Sequence, residues 1–287
     1  MPQALTSMTY FKKVLTVLLC SCLMLRIGGA VPVSLKQAEE KLKNLFVAAA
    51  AAPDVRQKLV YTDSIVALME QTLGLTGAFD YPFDSLKSLG KITSSDGKVR
   101  IYTWNLPMKD IGNHYYGFIQ YRTNTKSIPR IFKLSDASEE ISNPAGSVLY
   151  ADKWYGMLVY DIIVRNQGET TWYTLLGYDP DNLFISRKIV DVLYFGLSGE
   201  PLFGKPIFHY NNKMQCRIIF EYSARVQMSL RWIESGKMIV FDHLSPTKAS
   251  LTGNYQYYGP DFSYDALRFE NGTWELVEDV DVRNSNE

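Results

Sequence analysis

Asp242 followed by His243 is the pair in this chain that most resembles an acid–base couple. Its context argues against that use. The preceding Glu234-Ser235-Gly236 suits a three-residue hairpin loop with Gly236 in the left-handed position, which aligns Trp232 with Met238 and Leu230 with Val240. On the strand that continues from it, Asp242 falls on the core side and His243 on the other, because neighbours along a strand point to opposite faces. Asp242 is therefore expected to bond backbone amides at the Leu244-Ser245-Pro246 turn. As a carboxylate on an otherwise apolar face it is also the titratable group most open to perturbation.

The remaining chemistry is sparse. His114 and His209 complete a set of three histidines, with no spacing that would place two of them on one metal, and no metal or cofactor site is expected. Asp179-Pro180-Asp181-Asn182 offers oxygens suited to calcium but lacks the glycine and distal glutamate of an EF-hand loop, so it reads as a polar turn. There is no GxSxG elbow and no glycine-rich phosphate loop ahead of a helix. A glycan hydrolase needs only two carboxylates placed in space; Glu221, Asp242, Asp261 and Asp265 form that pool, and no residue is assigned a catalytic role. The richest feature is aromatic, with 19 Tyr, 14 Phe and 5 Trp. Tyr255-Gln256-Tyr257-Tyr258-Gly259-Pro260-Asp261 concentrates such rings in a loop or edge, where they give contact area to a sugar ring or a protein at low entropy cost. Tyr255, Tyr257, Tyr258, Asp261 and Asp242 are the candidate binding residues.

The elements that must carry these side chains fall into two regions. Ser34 with Gln37 has the form of a capping box, and Leu35, Ala38, Leu42, Leu45, Phe46 and Ala49 recur at helical spacing until Pro53. Asp54 with Gln57 caps a second helix, whose stripe of Val55, Leu59, Val66, Met69 and Leu73 ends at Gly74. The two are expected to pair as a hairpin. From about Ile92 onward the pattern alternates with period two and turn signals recur every 8 to 15 residues or so, which predicts antiparallel strands such as Val99 to Asn105, Tyr115 to Tyr121, Thr171 to Tyr178 and Lys188 to Phe195.

Two further hairpins are specific enough to test. Asn271-Gly272 supplies the positive φ angles of a type I′ turn and sets Phe269 against Trp274, Leu267 against Leu276 and Arg268 against Glu275. Asn271-Gly272-Thr273 also matches a glycosylation acceptor, a reading the tight turn displaces. The alternations Cys216 to Tyr222 and Val226 to Trp232 predict a hairpin through Tyr222 to Ala224 with Glu221 opposite Arg225. Cys216 then faces the core as a small buried hydrophobe.

The N-terminal stretch MTYFKKVLTVLLCSCLMLRIGGAVPVSL reads as an export signal: Lys12 and Lys13, an apolar run from Val14 to Leu25, then small residues at Gly28-Gly29-Ala30. The run is about 12 residues, against the roughly 20 of a membrane-spanning helix. The expected boundaries are a signal peptide at 1–30, a helical region at 31–80 and an antiparallel β domain at 81–287. The protein is then exported to the periplasm or beyond; the alternative is a lipid anchor through Cys20 or Cys22. Thirty basic and thirty acidic side chains give no net field to draw nucleic acid or an anionic membrane surface.

Four stretches, YPFDSLKSLGKITSSDGKVRIYTWNL, YTLLGYDPDN, IVFDHLSP and YGPDFSYDALRFENGTWELVEDVDVRN, resemble a family of uncharacterised exported proteins from Bacteroidota. The resemblance covers most of the chain from Tyr81 to Asn284 and implies export in a Gram-negative host, with no activity, cofactor or catalytic residue attached. Ser94-Ser95-Asp96-Gly97-Lys98 also resembles β-propeller hairpins. The reading is a mainly β protein, a large antiparallel meander of barrel-like or partial-propeller form preceded by an N-terminal helical hairpin. Its expected role is a non-catalytic binding or envelope-associated module, with carbohydrate or another envelope protein as partner; the alternative is a glycan-directed hydrolase using strand-borne carboxylates.

Overall fold

Pro53 has no N–H to donate, so the helical run that starts at Leu35 stops just before it. In the computed structural model, which describes residues 34–108, 112–168 and 170–281, helix α1 spans Leu35–Ala51 and helix α2 spans Val55–Leu73. The expected signal segment, with Cys20 and Cys22, lies outside the described residues. Asp54 caps α2 by accepting the Gln57 amide at 2.8 Å. Gly74 ends it, in right-handed rather than left-handed conformation. The buried stripe of α2 keeps Val66, Met69 and Leu73 of the expected set, but Leu59 is exposed and Thr62, Ile65 and Thr72 face inward as well. Both threonines tolerate this because each hydroxyl bonds the carbonyl one turn back, Lys58 at 2.8 Å and Leu68 at 2.6 Å.

Three sheets follow. The first runs in sequence as β1 (Gly90–Thr93), β2 (Val99–Met108), β3 (Gly112–Tyr121) and β4 (Arg130–Ser135). The second holds β5 (Leu149–Tyr150), β6 (Leu158–Gln167), β7 (Thr170–Asp179), β8 (Ile185–Phe195) and β9 (Pro201–Phe203), in the order β5-β9-β8-β7-β6, and β12 (Ile218–Ser223) also pairs with β8. The third contains β10 (Phe208–Tyr210), β11 (Lys213–Gln215), β13 (Leu230–Ile233), β14 (Met238–Pro246), β15 (Tyr258–Glu270) and β16 (Thr273–Val277), ordered β11-β10-β16-β15-β14-β13. Among the described strands the pairing is antiparallel except between β10 and β16.

These elements stack in four layers. Leu42, Ile65, Met69 and Leu73 of the helices pack on Tyr102, Trp104 and Phe118 of the first sheet. The opposite face of that sheet, with Val99, Ile101 and Ile119, packs on Tyr173, Leu175 and Leu193 of the second. The reverse face of the second, with Trp172, Leu176 and Val190, packs on Phe241, Leu267 and Trp274 of the third. The sheets therefore stack as open layers, and no barrel closes among the described residues. A bulge between Val159 and Asp161 lets β6 change phase, so that Val159 and Ile162 face the same core despite their odd spacing.

The hairpin at Asn271-Gly272 has the expected register, Phe269 opposite Trp274 and Arg268 opposite Glu275, with φ of 49° and 90° in the turn. The other two hairpins differ from expectation. Ile233 rather than Trp232 begins the β13–β14 turn, opposite Met238, and Lys237 rather than Gly236 takes the positive φ, at 48°. The loop thus has four residues and Leu230 meets Phe241. The expected β12–β13 hairpin does not form: β12 joins the second sheet and β13 the third, so Glu221 opposes Arg187 instead of Arg225. The apolar faces of those two segments do meet, as Phe220, Tyr222, Met228 and Leu230 in one core, but across layers instead of edge to edge. Cys216 is buried at 5% exposure.

Candidate functional site

The β7–β8 hairpin sets Asp179 directly opposite Arg187, and β12 sets Glu221 opposite Arg187 on its other side. Cross-strand neighbours on one face lie within side-chain reach, so acid, base and acid form a row across three strands. Arg187 contacts Asp179 Oδ2 at 3.1 Å, Glu221 Oε1 at 2.9 Å and, from the turn, Asp181 Oδ1 at 2.9 Å. The Asp179–Asn182 stretch is the polar turn expected from sequence. Its carboxylates also line a cleft of about 740 Å³.

The opposite wall comes from the first sheet and the chain that leaves it. Asp136 follows β4 and is positioned by a bridge to Trp154. Its Oδ1 accepts the Ser138 amide at 3.0 Å and hydroxyl at 2.6 Å; its Oδ2 accepts the Tyr115 amide at 2.9 Å and lies 3.5 Å from His114 Nδ1. Asp179 is equally committed, since Oδ1 accepts both the Tyr115 hydroxyl and the Asp181 amide while Oδ2 faces Arg187. Glu139, Glu140 and Tyr155 also line the cleft.

Burial shapes the titration of this cleft. It raises Asp181 above the ordinary carboxylate range, although Arg187 pulls the other way. It pushes Tyr155 up to about 12, again against Arg187, and with the adjacent Asp179 it raises Tyr115 further. The tyrosines thus remain neutral hydroxyls at any physiological pH. Among the described residues no group of three or more His, Cys, Asp or Glu side chains is arranged to hold a metal ion.

The residues singled out by sequence occupy other places. Tyr257 and Tyr258 line a second groove of about 600 Å³ with Phe184, Arg225, Val226 and Pro246. Tyr255 packs on Tyr258 with ring centroids 5.0 Å apart and is 41% exposed. Asp242 lines neither groove; its Oδ2 accepts the Ser229 amide at 2.7 Å, a backbone bond as expected but to β13's approach, not to the Leu244–Pro246 turn. His243 sits at a bulge between β14 and β15, with Nδ1 2.7 Å from Asp265 and Nε2 3.9 Å from Asp261. Of the carboxylate pool named for hydrolysis, Glu221 alone reaches the large cleft, while Asp261 and Asp265 flank His243. Asp136, Asp179, Asp181 and Arg187 were not singled out by sequence as site residues, because their convergence depends on how the first and second sheets stack.

Comparison with protein-family models, with curated proteins and with solved structures finds no match to this chain.

Proposed function

We propose that this chain is an exported, non-catalytic binding module whose ligand, a carbohydrate, occupies the Arg187 cleft. The observation that carries the reading is the commitment of the Asp136 and Asp179 carboxylates: every oxygen already accepts a protein donor or faces a cation. Groups tied down in this way shape a wall and present fixed polar edges, the preorganisation a hydroxyl-rich ligand requires. Calorimetric titration of soluble oligosaccharides into the exported form is expected to give saturable binding without release of reducing ends. Binding unaffected by Asp179→Asn and Arg187→Gln would place the ligand elsewhere.

One observation favours a glycan hydrolase instead: burial raises the Asp181 carboxyl above its ordinary value, and Glu221 stands on the other side of Arg187. Turnover of an oligosaccharide that disappears in Asp181→Asn or Glu221→Gln would make that the correct reading. Export itself is read from the N-terminal segment. Mass spectrometry of the exported form is expected to begin near Val31, and a diacylglycerol-modified Cys20 or Cys22 would show the lipid-anchored alternative.

A further inference from the structure

Resting on the binding reading, the contents of the cleft also say what kind of sugar it takes. Six carboxylates line it, from Asp136, Glu139, Glu140, Asp179, Asp181 and Glu221, against one guanidinium. Arg187 is already shared by three of them, so its charge is not available to an anionic ligand, and phosphate, sulfate or uronate groups would meet uncompensated negative charge. Among the described residues no protein donor engages the second oxygen of Glu221 or either oxygen of Glu139 and Glu140. Acceptor capacity for a cationic donor therefore remains on Glu221 and on the solvent-exposed Glu139 and Glu140 that line the cleft.

An independent observation points to a ligand. Tyr155 is only 7% exposed, and its ring is held from behind by Arg217, whose guanidinium carbon lies 5.6 Å from the ring centroid. Yet its hydroxyl has no hydrogen-bond partner among the described residues, and the residue lines the cleft. A buried tyrosine normally finds a partner for its O–H. Because burial keeps the Tyr155 hydroxyl protonated, it offers a neutral donor and acceptor in an acidic site.

We propose that the cleft binds an amino sugar in its free-amine form, the ammonium drawn to Glu221, Glu139 and Glu140 and a ring hydroxyl meeting Tyr155. A primary ammonium has three donors and no acceptor, matching carboxylates with free lone pairs, while a hydroxyl neighbour of the amine matches Tyr155.

The test is calorimetry at a pH where the amine is protonated, using a glucosamine trisaccharide, its fully N-acetylated counterpart and spermidine. The free-amine trisaccharide is expected to bind at least about tenfold more tightly than the acetylated one, with Tyr155→Phe and Glu140→Gln each weakening it by about three- to tenfold. Both variants leave the Arg187 row intact, and an unchanged thermal melt checks that they fold. Equal binding of the two trisaccharides would overturn the ammonium assignment and leave a carbohydrate module standing. Spermidine binding as tightly as the free-amine trisaccharide, with no loss in Tyr155→Phe, would overturn it in favour of a bare cation site. Failure of all three probes would overturn the amino-sugar assignment, and failure of neutral oligosaccharides as well would overturn the binding reading.

Discussion

Arg217 and Asp191 are both fully buried, joined from Nε to Oδ2 at 2.8 Å. The guanidinium also donates to the Pro144 carbonyl, and Asp191 accepts the Val192 amide at 2.7 Å. Arg217 lies one residue ahead of β12, and its contacts with Pro144, the Tyr155 ring and Asp191 make it part of an interior ion pair. Removing one partner of such a pair strands the other. Arg217→Met is thus expected to cost about 3–5 kcal/mol at neutral pH in denaturant unfolding. Burial raises the Asp191 pKa and Arg217 opposes the rise, so without Arg217 the carboxyl is protonated more readily in the folded than in the unfolded chain. The penalty should therefore shrink as pH falls from 7 toward 4.5, and a pH-independent penalty would mean that Asp191 finds another cation. His243 has the opposite chemistry. Its hydrogen bond to Asp265, followed by the charges of Asp265, Asp261 and Asp279, raises its pKa although burial acts against this. A raised histidine pKa contributes stability that is complete below the unfolded value of about 6.5 and is lost as pH climbs through the folded value. His243→Gln should then cost about 0.5 kcal/mol at pH 5.5, a figure reduced for solvent screening of a half-exposed ring, and close to nothing at pH 9. Equal cost at both pH values would assign His243 a packing role only.

Between β15 and β16 the turn residues hold φ of 49° at Asn271 and 90° at Gly272. Asn enters the left-handed region at low cost, whereas a Cβ at the second position pays for it and would also lie 2.4 Å from the Gln167 side chain. Gly272→Ala is expected to destabilise by about 1–2 kcal/mol, a fall of about 3–6 °C in melting temperature. Asn271→Gly should stay within about 0.5 kcal/mol of the parent, and similar losses from both would argue against the type I′ geometry. This hairpin was legible in the sequence because turn chemistry and apolar pattern lie within ten residues of one another and agree. The Asp54 cap was legible for the same reason. The Cys216 to Trp232 segment was misread because its two strands belong to different layers: Phe220 and Leu230 share a core, and a shared core carries no information on whether two strands are bonded or stacked. The Ile233–Met238 turn was misplaced by one residue because Lys237, not the available Gly236, takes the left-handed conformation. The cleft was hidden by a longer version of this difficulty. The Asp179–Arg187 half of its charged row comes from one hairpin, but Glu221 reaches it only through the β8–β12 pairing and Asp136 only through the stacking of the first sheet on the second.

The second sheet is the mechanical centre of the described chain. Leu175 and Leu176 are adjacent in sequence and both fully buried, as are Ile189 with Val190 and Val192 with Leu193, because one face supports the first sheet and the other the third. A strand covered on both faces buries neighbouring apolar residues on either side, as Ile189 with Val190 and Val192 with Leu193 do here. With a single buried cysteine in the described residues, no internal disulfide ties these layers, so cohesion must come from burial. To expose an amide in β7 or β8, both neighbouring layers must separate, which amounts to unfolding the unit. The three-residue β11 is by contrast a sheet edge with Met214 51% exposed, and it can open alone. Hydrogen exchange followed by mass spectrometry is thus expected to show β7 and β8 peptides exchanging at the rate of global unfolding, at least ~10⁴-fold more slowly than β11. The cleft draws its Arg187 row from this most protected sheet and its other wall from the first sheet and the chain that leaves it, so any molecule bound there should slow exchange mainly around Asp136–Ile141 while leaving β7 and β8 at their global limit. If β7 and β8 instead exchanged as fast as β11, the layered stacking would be wrong, and the convergence of Asp136 with the Arg187 row would fall with it.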